Sequence, residues 1–182
     1  AANLAMMAIP GGGATDDVLT GTGRASMRGN VGTSVRLGVR TGIASSIATG
    51  AGRVIARGED ALEMVAAKYR KAVARAFDGA PEAVELTDDW IVFRHWGGKS
   101  CELGSPWYSE AAYTYSGNAK RYLALPNGNT AQNVSRFRIP AGTKVLRGRV
   151  ASQAGNPGFG DAAVGGGIQI YLPDPSKATP IP

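Results

Sequence analysis

The feature that most constrains this chain is where its aromatic residues begin. None occurs in residues 1–58, so all 3 Trp, 6 Tyr and 4 Phe lie beyond. The opening stretch, AANLAMMAIPGGGATDDVLTGTGRASMRGNVGTSVRLGVRTGIASSIATGAGRVIARG, is dominated by Gly, Ala, Ser and Thr. Such residues bury little apolar area for the conformational entropy lost in ordering them. A dense core must therefore come from residues 59–182, a length suited to one domain. Residues 1–58 read as a linker or loosely helical segment, or as a piece of a larger delivery protein. Their arginines fall in pairs four apart, Arg24/Arg28, Arg36/Arg40 and Arg53/Arg57. That spacing shares a helix face, but the interleaved glycines oppose long helices.

Charge follows the same division. The chain holds 20 basic and 14 acidic residues, a net charge of +6. Residues 1–58 carry six arginines against Asp16 and Asp17, which leaves fourteen basic and twelve acidic groups for the rest. The near balance after residue 58 argues against a nucleic-acid platform. With one cysteine, Cys101, and one histidine, His95, no internal disulfide forms and no Cys/His zinc site can be assembled. No metal site is expected. No apolar run is long enough to span a membrane, and no signal peptide is visible.

After the break, EDALEMVAAKYRKAVARAFDGAP is the clearest helix. Leu62, Val65, Ala66, Tyr69, Val73, Ala76 and Phe77 follow the i, i+3, i+4, i+7 pattern, Glu59 and Asp60 suit the N-terminus, and Gly79 and Pro81 stop it. The texture then turns to short strands and loops. A strand is expected around Trp90–Phe93, ending in two glycines, and RYLALP (121–126) is a short apolar run closed by proline. SRFRIPAGTKVLRGRVAS (135–152) reads as two strands about a turn, GIQIYLP as a last strand, and PDPSKATPIP as an extended tail. There is no βαβ alternation. The expectation is an α+β chain: residues 1–58 a Gly/Ala-rich segment, residues 59–182 a compact domain. That domain would hold one packing helix (59–78) and a mainly antiparallel β core (about 83–175).

Several segments could carry chemistry. In Phe93-Arg94-His95-Trp96-Gly97-Gly98, an arginine at a strand end followed by glycines could meet an anion with its guanidinium fork and nearby backbone N–H groups. A surface arginine beside a turn gives the same letters, and a lone histidine is commonly structural. In GSPWYSEAAYTYSGN (104–118), Trp107, Tyr108, Tyr113 and Tyr115 could offer a flat face to a heteroaromatic ligand, or pack under a loop. GGGIQIYLP (165–173) sets three glycines before a strand with one amide, Gln169. It is no Walker loop, since no Gly-Lys-Ser/Thr follows, and no dinucleotide fingerprint of the helix-opening kind, since a strand follows.

Taken in order, Arg-x-x-Gly, Gly-x-x-Trp-Tyr-Ser, Arg-x-Leu-Ala-Leu-Pro, Pro-Ala-Gly-Thr and Gly-Gly-Gly-x-Gln resemble the NAD-hydrolysing toxin domains typified by the tuberculosis necrotizing toxin. The resemblance covers roughly residues 90–173. The stretch GNTAQNVSRFRIPAGTKVLRGRVASQ also looks like the toxin tips of large secreted bacterial proteins with Rhs repeats. The chain departs from the pattern in having His-Trp between arginine and glycine, and an insertion, Asp161–Val164, between Phe-Gly and the glycines. The resemblance implies a fold related to ADP-ribosyltransferase-like toxins and hydrolysis of NAD⁺ or NADP⁺ to nicotinamide and ADP-ribose, the dinucleotide being substrate and no cofactor being used. It implies Arg94, Gln169 and Tyr108 as catalytic residues, with Arg94 gripping the pyrophosphate and Gln169 orienting ribose hydroxyls or water. It implies His95, Trp96, Gly97, Trp107, Ser109, Arg121, Gly166 and Gly167 as substrate-binding residues, Trp107 or Tyr108 stacking on nicotinamide. It further implies a parent secreted effector, a cognate immunity protein, and action in a target cell's cytoplasm after secretion or injection. ADP-ribosyl transfer to a macromolecule is the nearest alternative, although no Glu-x-Glu or Gln-x-Glu pair accompanies Glu102 and Glu110. A non-enzymatic structural tip is the alternative from another class.

Overall fold

The computed structural model describes residues 52–182. The readings of residues 1–51 given above lie outside the described residues. Eight strands form one sheet, antiparallel at every pairing, in the order β1-β2-β6-β7-β4-β3-β5-β8. They are β1 (Gly52–Arg57), β2 (Glu82–Leu86), β3 (Trp90–Gly98), β4 (Trp107–Ser109), β5 (Asn129–Ile139), β6 (Lys144–Arg149), β7 (Ile168–Tyr171) and β8 (Thr179–Ile181). Three helices accompany them: α1 (Gly58–Leu62), α2 (Ala67–Ala76) and α3 (Ser116–Tyr122). The chain is thus α+β with a mainly antiparallel sheet.

Two connections bend this sheet. Residues 87–89 join β2 to β3, and residues 140–143 join β5 to β6, yet β7 and β4 lie between the joined halves in both cases. The second link is a tight turn, with the Thr143 N–H donating to the Pro140 carbonyl. It is pinned to the first: Ala141 N–H donates to Asp89 Oδ1, and Leu86 exchanges backbone hydrogen bonds with Gly142 and Thr143. Links this short cannot cross a flat sheet, since neighbouring strands are about 4.8 Å apart. The halves therefore curl toward each other. Their concave faces enclose the main core, Val84, Leu86, Trp90, Val92, Tyr108, Phe137, Ile139, Val145, Ile170 and Leu172. Each such side chain, fully buried, contributes about 1.5–3 kcal/mol.

The convex face is covered separately. Ala61, Val65, Val73 and Phe77 from the α1–α2 segment pack on Ala83, Leu146 and Tyr171 of the sheet. Leu123 and Ala124, just past α3, pack with Val150 and Ala163.

The structure differs from the sequence expectations in four places. The single helix over 59–78 is broken at residues 63–66, which turns Ala61, Val65, Val73 and Phe77 to one cluster. The guanidinium of Arg70 donates to the Val65 and Glu63 carbonyls exposed by the break. Besides the strand expected around Trp90–Phe93, residues 82–86 form a further strand, separated from it by Thr87-Asp88-Asp89. In a stretch expected to hold short strands and loops, the RYLALP run begins in the last turn of a helix, with Leu123 N–H donating to the Ala119 carbonyl. The sheet also reaches back to Gly52, before the expected start at residue 59, because β1 pairs with β2 and is tied to it by Arg53–Glu85 and Arg57–Glu82.

Candidate functional site

A polar row crosses the middle of the convex face. Phe93 of β3 lies opposite Ser109 of β4, Ser109 opposite Gln169 of β7, and Gln169 opposite Gly148 of β6. Cross-strand partners share a face and alternate residues return to it, so His95 and Trp107 join the row while Arg94 and Tyr108 point the other way. Ser109 and Gln169 are buried, as is His95.

Each polar side chain of the row makes at least one hydrogen bond to a backbone carbonyl. Gln169 Nε2 donates to the Ala76 carbonyl at 2.6 Å, tying the central strand to the end of α2. Ser109 Oγ lies within hydrogen-bonding distance of the carbonyls of Ala111 (2.8 Å) and Phe93 (3.3 Å). His95 Nε2 donates to the same Ala111 carbonyl at 3.3 Å, which makes Nδ1 the unprotonated nitrogen, and Nδ1 is buried without a partner. Burial is the main influence holding the His95 pKa below its ordinary value, opposed by the Ala111 hydrogen bond and assisted by the neighbouring Arg94 charge. Residues 110–115 thus form a roof fastened to the row through one carbonyl, and Ala111 and Ala112 are on its exposed side.

Aromatic rings flank the row on both sides. Trp107 meets Phe77 at 5.9 Å and Tyr171 edge-on at 4.9 Å. On the other side His95 meets Tyr113 at 5.6 Å, and Tyr113 stacks on Tyr122 at 5.8 Å.

The three glycines are threaded between parts of the chain itself. Gly165, at φ +72°, has its α-carbon so close to the Val150–Ala151 backbone that a Cβ would meet the Val150 carbonyl oxygen at 2.5 Å. A Cβ on Gly167 would meet the Tyr113 hydroxyl at 2.8 Å and the Tyr122 carbonyl at 2.9 Å. Gly165 and Gly167 donate to the Arg121 and Tyr122 carbonyls, closing the end of α3 against the strand, while Gly166 is exposed.

The remaining candidates are spread more widely. Arg94 sits in the middle of β3 instead of at a strand end, on the concave side, and is 9% exposed. Its Nη1 donates to the Trp107 carbonyl and its Nη2 to Ser100 Oγ and the Cys101 carbonyl, while Nε has no partner. Burial lowers its pKa, against the nearby Tyr108 and Cys101. Tyr108 is part of the main core, edge-on to Phe137 at 5.3 Å, and burial raises its pKa. Trp96 is half-buried with Nε1 donating to Ser135 Oγ, and Gly97 at φ +140° turns the chain through paired hydrogen bonds with Ser100. Arg121 is exposed, 5.8 Å from the Tyr122 ring. The structure therefore brings Gln169, Ser109, His95 and Trp107 together with Gly167. It does not bring Arg94 or Tyr108 to them, because strand alternation sends those two through the sheet.

Phe93, Gly148 and the Ala76 carbonyl belong to the site and have no sequence signal of their own, whereas Tyr113 stood out only as one aromatic of a loop-like stretch. Cross-strand register places them, and register is set by the whole sheet. The Arg147–Glu110 ion pair, joined through both carboxylate oxygens on the concave side, is likewise visible only in three dimensions. Among the described residues no group of three or more His, Cys, Asp or Glu is arranged to hold a metal ion, and no helix is long and apolar enough to cross a membrane.

No family model, curated protein or solved structure matches this chain.

Proposed function

We propose that this chain is a glycohydrolase of NAD⁺ or NADP⁺, with its site on the convex face at Gln169 and Ser109. The observation that carries the reading is the direct pairing of these two buried polar residues at the centre of the sheet, between Trp107 and the Tyr113–Tyr122 stack. The order of motifs described above supports it, together with the kinship to ADP-ribosyltransferase-like toxin folds that this order implies.

The chemistry asks little of acid–base groups. The nicotinamide–ribose bond breaks heterolytically, its electron pair neutralising the pyridinium ring as nicotinamide leaves. Water adds to the resulting oxocarbenium-like carbon and releases one proton, giving ADP-ribose. Because the leaving group is already cationic, positioning and fixed dipoles suffice, without the paired carboxylates of sugar hydrolysis. Gln169 orients the ribose hydroxyls or the water, Ser109 supplies a second polar contact, and Trp107 or Tyr113 stacks on the nicotinamide ring. Access requires the 110–115 roof or the end of α2 to move aside, since Ser109 is fully buried and Gln169 donates to Ala76. Arg94 is no part of this site.

Transfer of ADP-ribose to a macromolecule is less well supported, because no hydrogen bond of the row involves a carboxylate and Glu110 is held by Arg147 on the opposite face. In its biological setting the activity would drain a target cell's dinucleotide pool after secretion or injection, so a parent secreted effector and a cognate immunity protein are expected partners.

The test is to incubate the protein with NAD⁺, and separately NADP⁺, and to resolve the products beside Ser109→Ala and Gln169→Ala whose folding has been verified by circular dichroism. Free nicotinamide and ADP-ribose are expected, reduced about 10²–10³-fold in each variant. Nicotinamide release only with an added protein or RNA acceptor would favour transfer. Intact dinucleotide under all conditions would end the enzymatic reading.

A further inference from the structure

On the far side of the sheet from Gln169, Arg94 presents a buried cation with no anion. A guanidinium stays charged at any physiological pH, and burying a charge without a counter-charge is costly unless its hydrogen bonds are met. Arg94 is nine-tenths buried, none of the ion pairs among the described residues includes it, and its Nε donates to nothing. Its acceptors are neutral: the Trp107 carbonyl on Nη1, then Ser100 Oγ at 2.8 Å and the Cys101 carbonyl at 3.3 Å on Nη2. Nε and Nη2 form the edge of the guanidinium that offers two parallel N–H bonds to an oxyanion. One half of that edge is idle and the other half is taken by the loop of residues 99–106.

That loop is fixed near both ends and least tied at residues 101–104. Lys99 N–H donates to the Gly128 carbonyl, and the Pro106 carbonyl accepts from Leu172 N–H. Between these points no loop residue belongs to a core cluster, and Leu103 is 62% exposed. Ser100 is also held by two backbone hydrogen bonds with Gly97, and Ser105 Oγ accepts from Trp107 N–H; across residues 101–104 the hydrogen bond to the sheet is the one that the Cys101 carbonyl accepts from Arg94.

We propose that residues 99–106 are a lid latched by Arg94, and that Arg94 is the binding group for an oxyanion, phosphate or carboxylate, which enters by displacing Ser100 and Cys101 from the Nε–Nη2 edge. The site lies on the concave side, with Tyr108 on the same face, and it stands or falls independently of the glycohydrolase reading on the convex side. An entering oxyanion replaces two neutral acceptors with a bidentate charged pair and satisfies Nε at the same time.

The experiment is backbone hydrogen exchange across residues 99–106, with inorganic phosphate, pyrophosphate and acetate added in turn at constant ionic strength. Saturable loss of protection is expected at the Lys99 and Ser100 amides, the hydrogen-bonded N–H groups of this loop, and whether phosphate or acetate produces it identifies the anion. Ser100→Ala keeps Arg94 and the fold but removes one latch contact, so the half-maximal anion concentration should fall about tenfold. Arg94→Lys removes the fork and should abolish the response, while Gln169→Ala should leave it unchanged. Protection that ignores all three anions in both the native protein and Ser100→Ala would overturn the proposal. So would an equal response in Arg94→Lys, because the effect would then be one of general ionic screening.

Discussion

Gln169 serves the architecture whatever else it does. Its amide is the donor to the Ala76 carbonyl at the end of α2, and its strand position faces Ser109. Gln169→Leu keeps the volume but removes one of the two hydrogen bonds to that carbonyl, which still accepts from Ala151 N–H, so a stability loss of about 0.5–1.5 kcal/mol is expected by urea denaturation. The three glycines separate by the same reasoning. Gly165 combines a left-handed backbone with a Cβ position pressed on the Val150 and Ala151 backbone, whereas Gly166, also left-handed at φ +91°, would meet only the Arg149 side chain at 3.4 Å. Gly165→Ala should therefore cost more than Gly166→Ala, which bears mainly the left-handed penalty of about 1–2 kcal/mol. Equal melting temperatures for the two would contradict the close approach. His95 brings in pH. Its folded pKa is lowered, so the unfolded chain binds more protons between the two values. The stability it confers is complete above about pH 6.5 and is lost as pH falls below that toward the lowered value. Denaturation titrations should show this decline, and His95→Gln should flatten it.

Among the elements, the broken helix shows how a periodic pattern underdetermines geometry. The apolar spacing of residues 62–77 fits one continuous helix as well as two short ones, and propensity alone favours the continuous form. Burial of Val65 in the same cluster as Ala61, Val73 and Phe77 favours the break, and Arg70 caps the carbonyls it frees. Arg70→Ala should cost about 1 kcal/mol, with exchange protection lost first at the 63–66 corner. β4 and β8 are three residues each and carry no alternating pattern long enough to read, so neither was legible in the sequence. β3, β5, β6 and β7 were, from the apolar run Trp90–Phe93, from the Pro-Ala-Gly-Thr turn that parts the strands of residues 135–152, and from the apolar segment Ile168–Tyr171. The α+β class and the antiparallel character followed from those four. The site was legible only in its letters: Ser109, Gln169 and Trp107 could be singled out, but not that Arg94 and Tyr108 face away from them. That depends on register across three strands, which no local pattern encodes.

At the scale of the molecule, the sheet joins residues far apart along the chain. β2 pairs with β6, β4 with β7, and both short crossings, 87–89 and 140–143, work only when the halves have already come together. Topologies dominated by such distant pairings fold in milliseconds to seconds. Stopped-flow refolding should fall in that range, with Trp fluorescence recovering in one phase as Trp90 and Trp107 become buried.

The position of β7 has a consequence for how the protein comes into being. Among the described residues it follows every other strand except β8, yet it lies between β6 and β4, in the interior of the sheet. A ribosome that has delivered everything up to Val164 has made two partial sheets with open edges and nothing to join them. The keystone arrives only after both halves, bringing the glycine thread and Gln169 with it. Whatever the polar row does, it cannot do it on a nascent or prematurely ended chain.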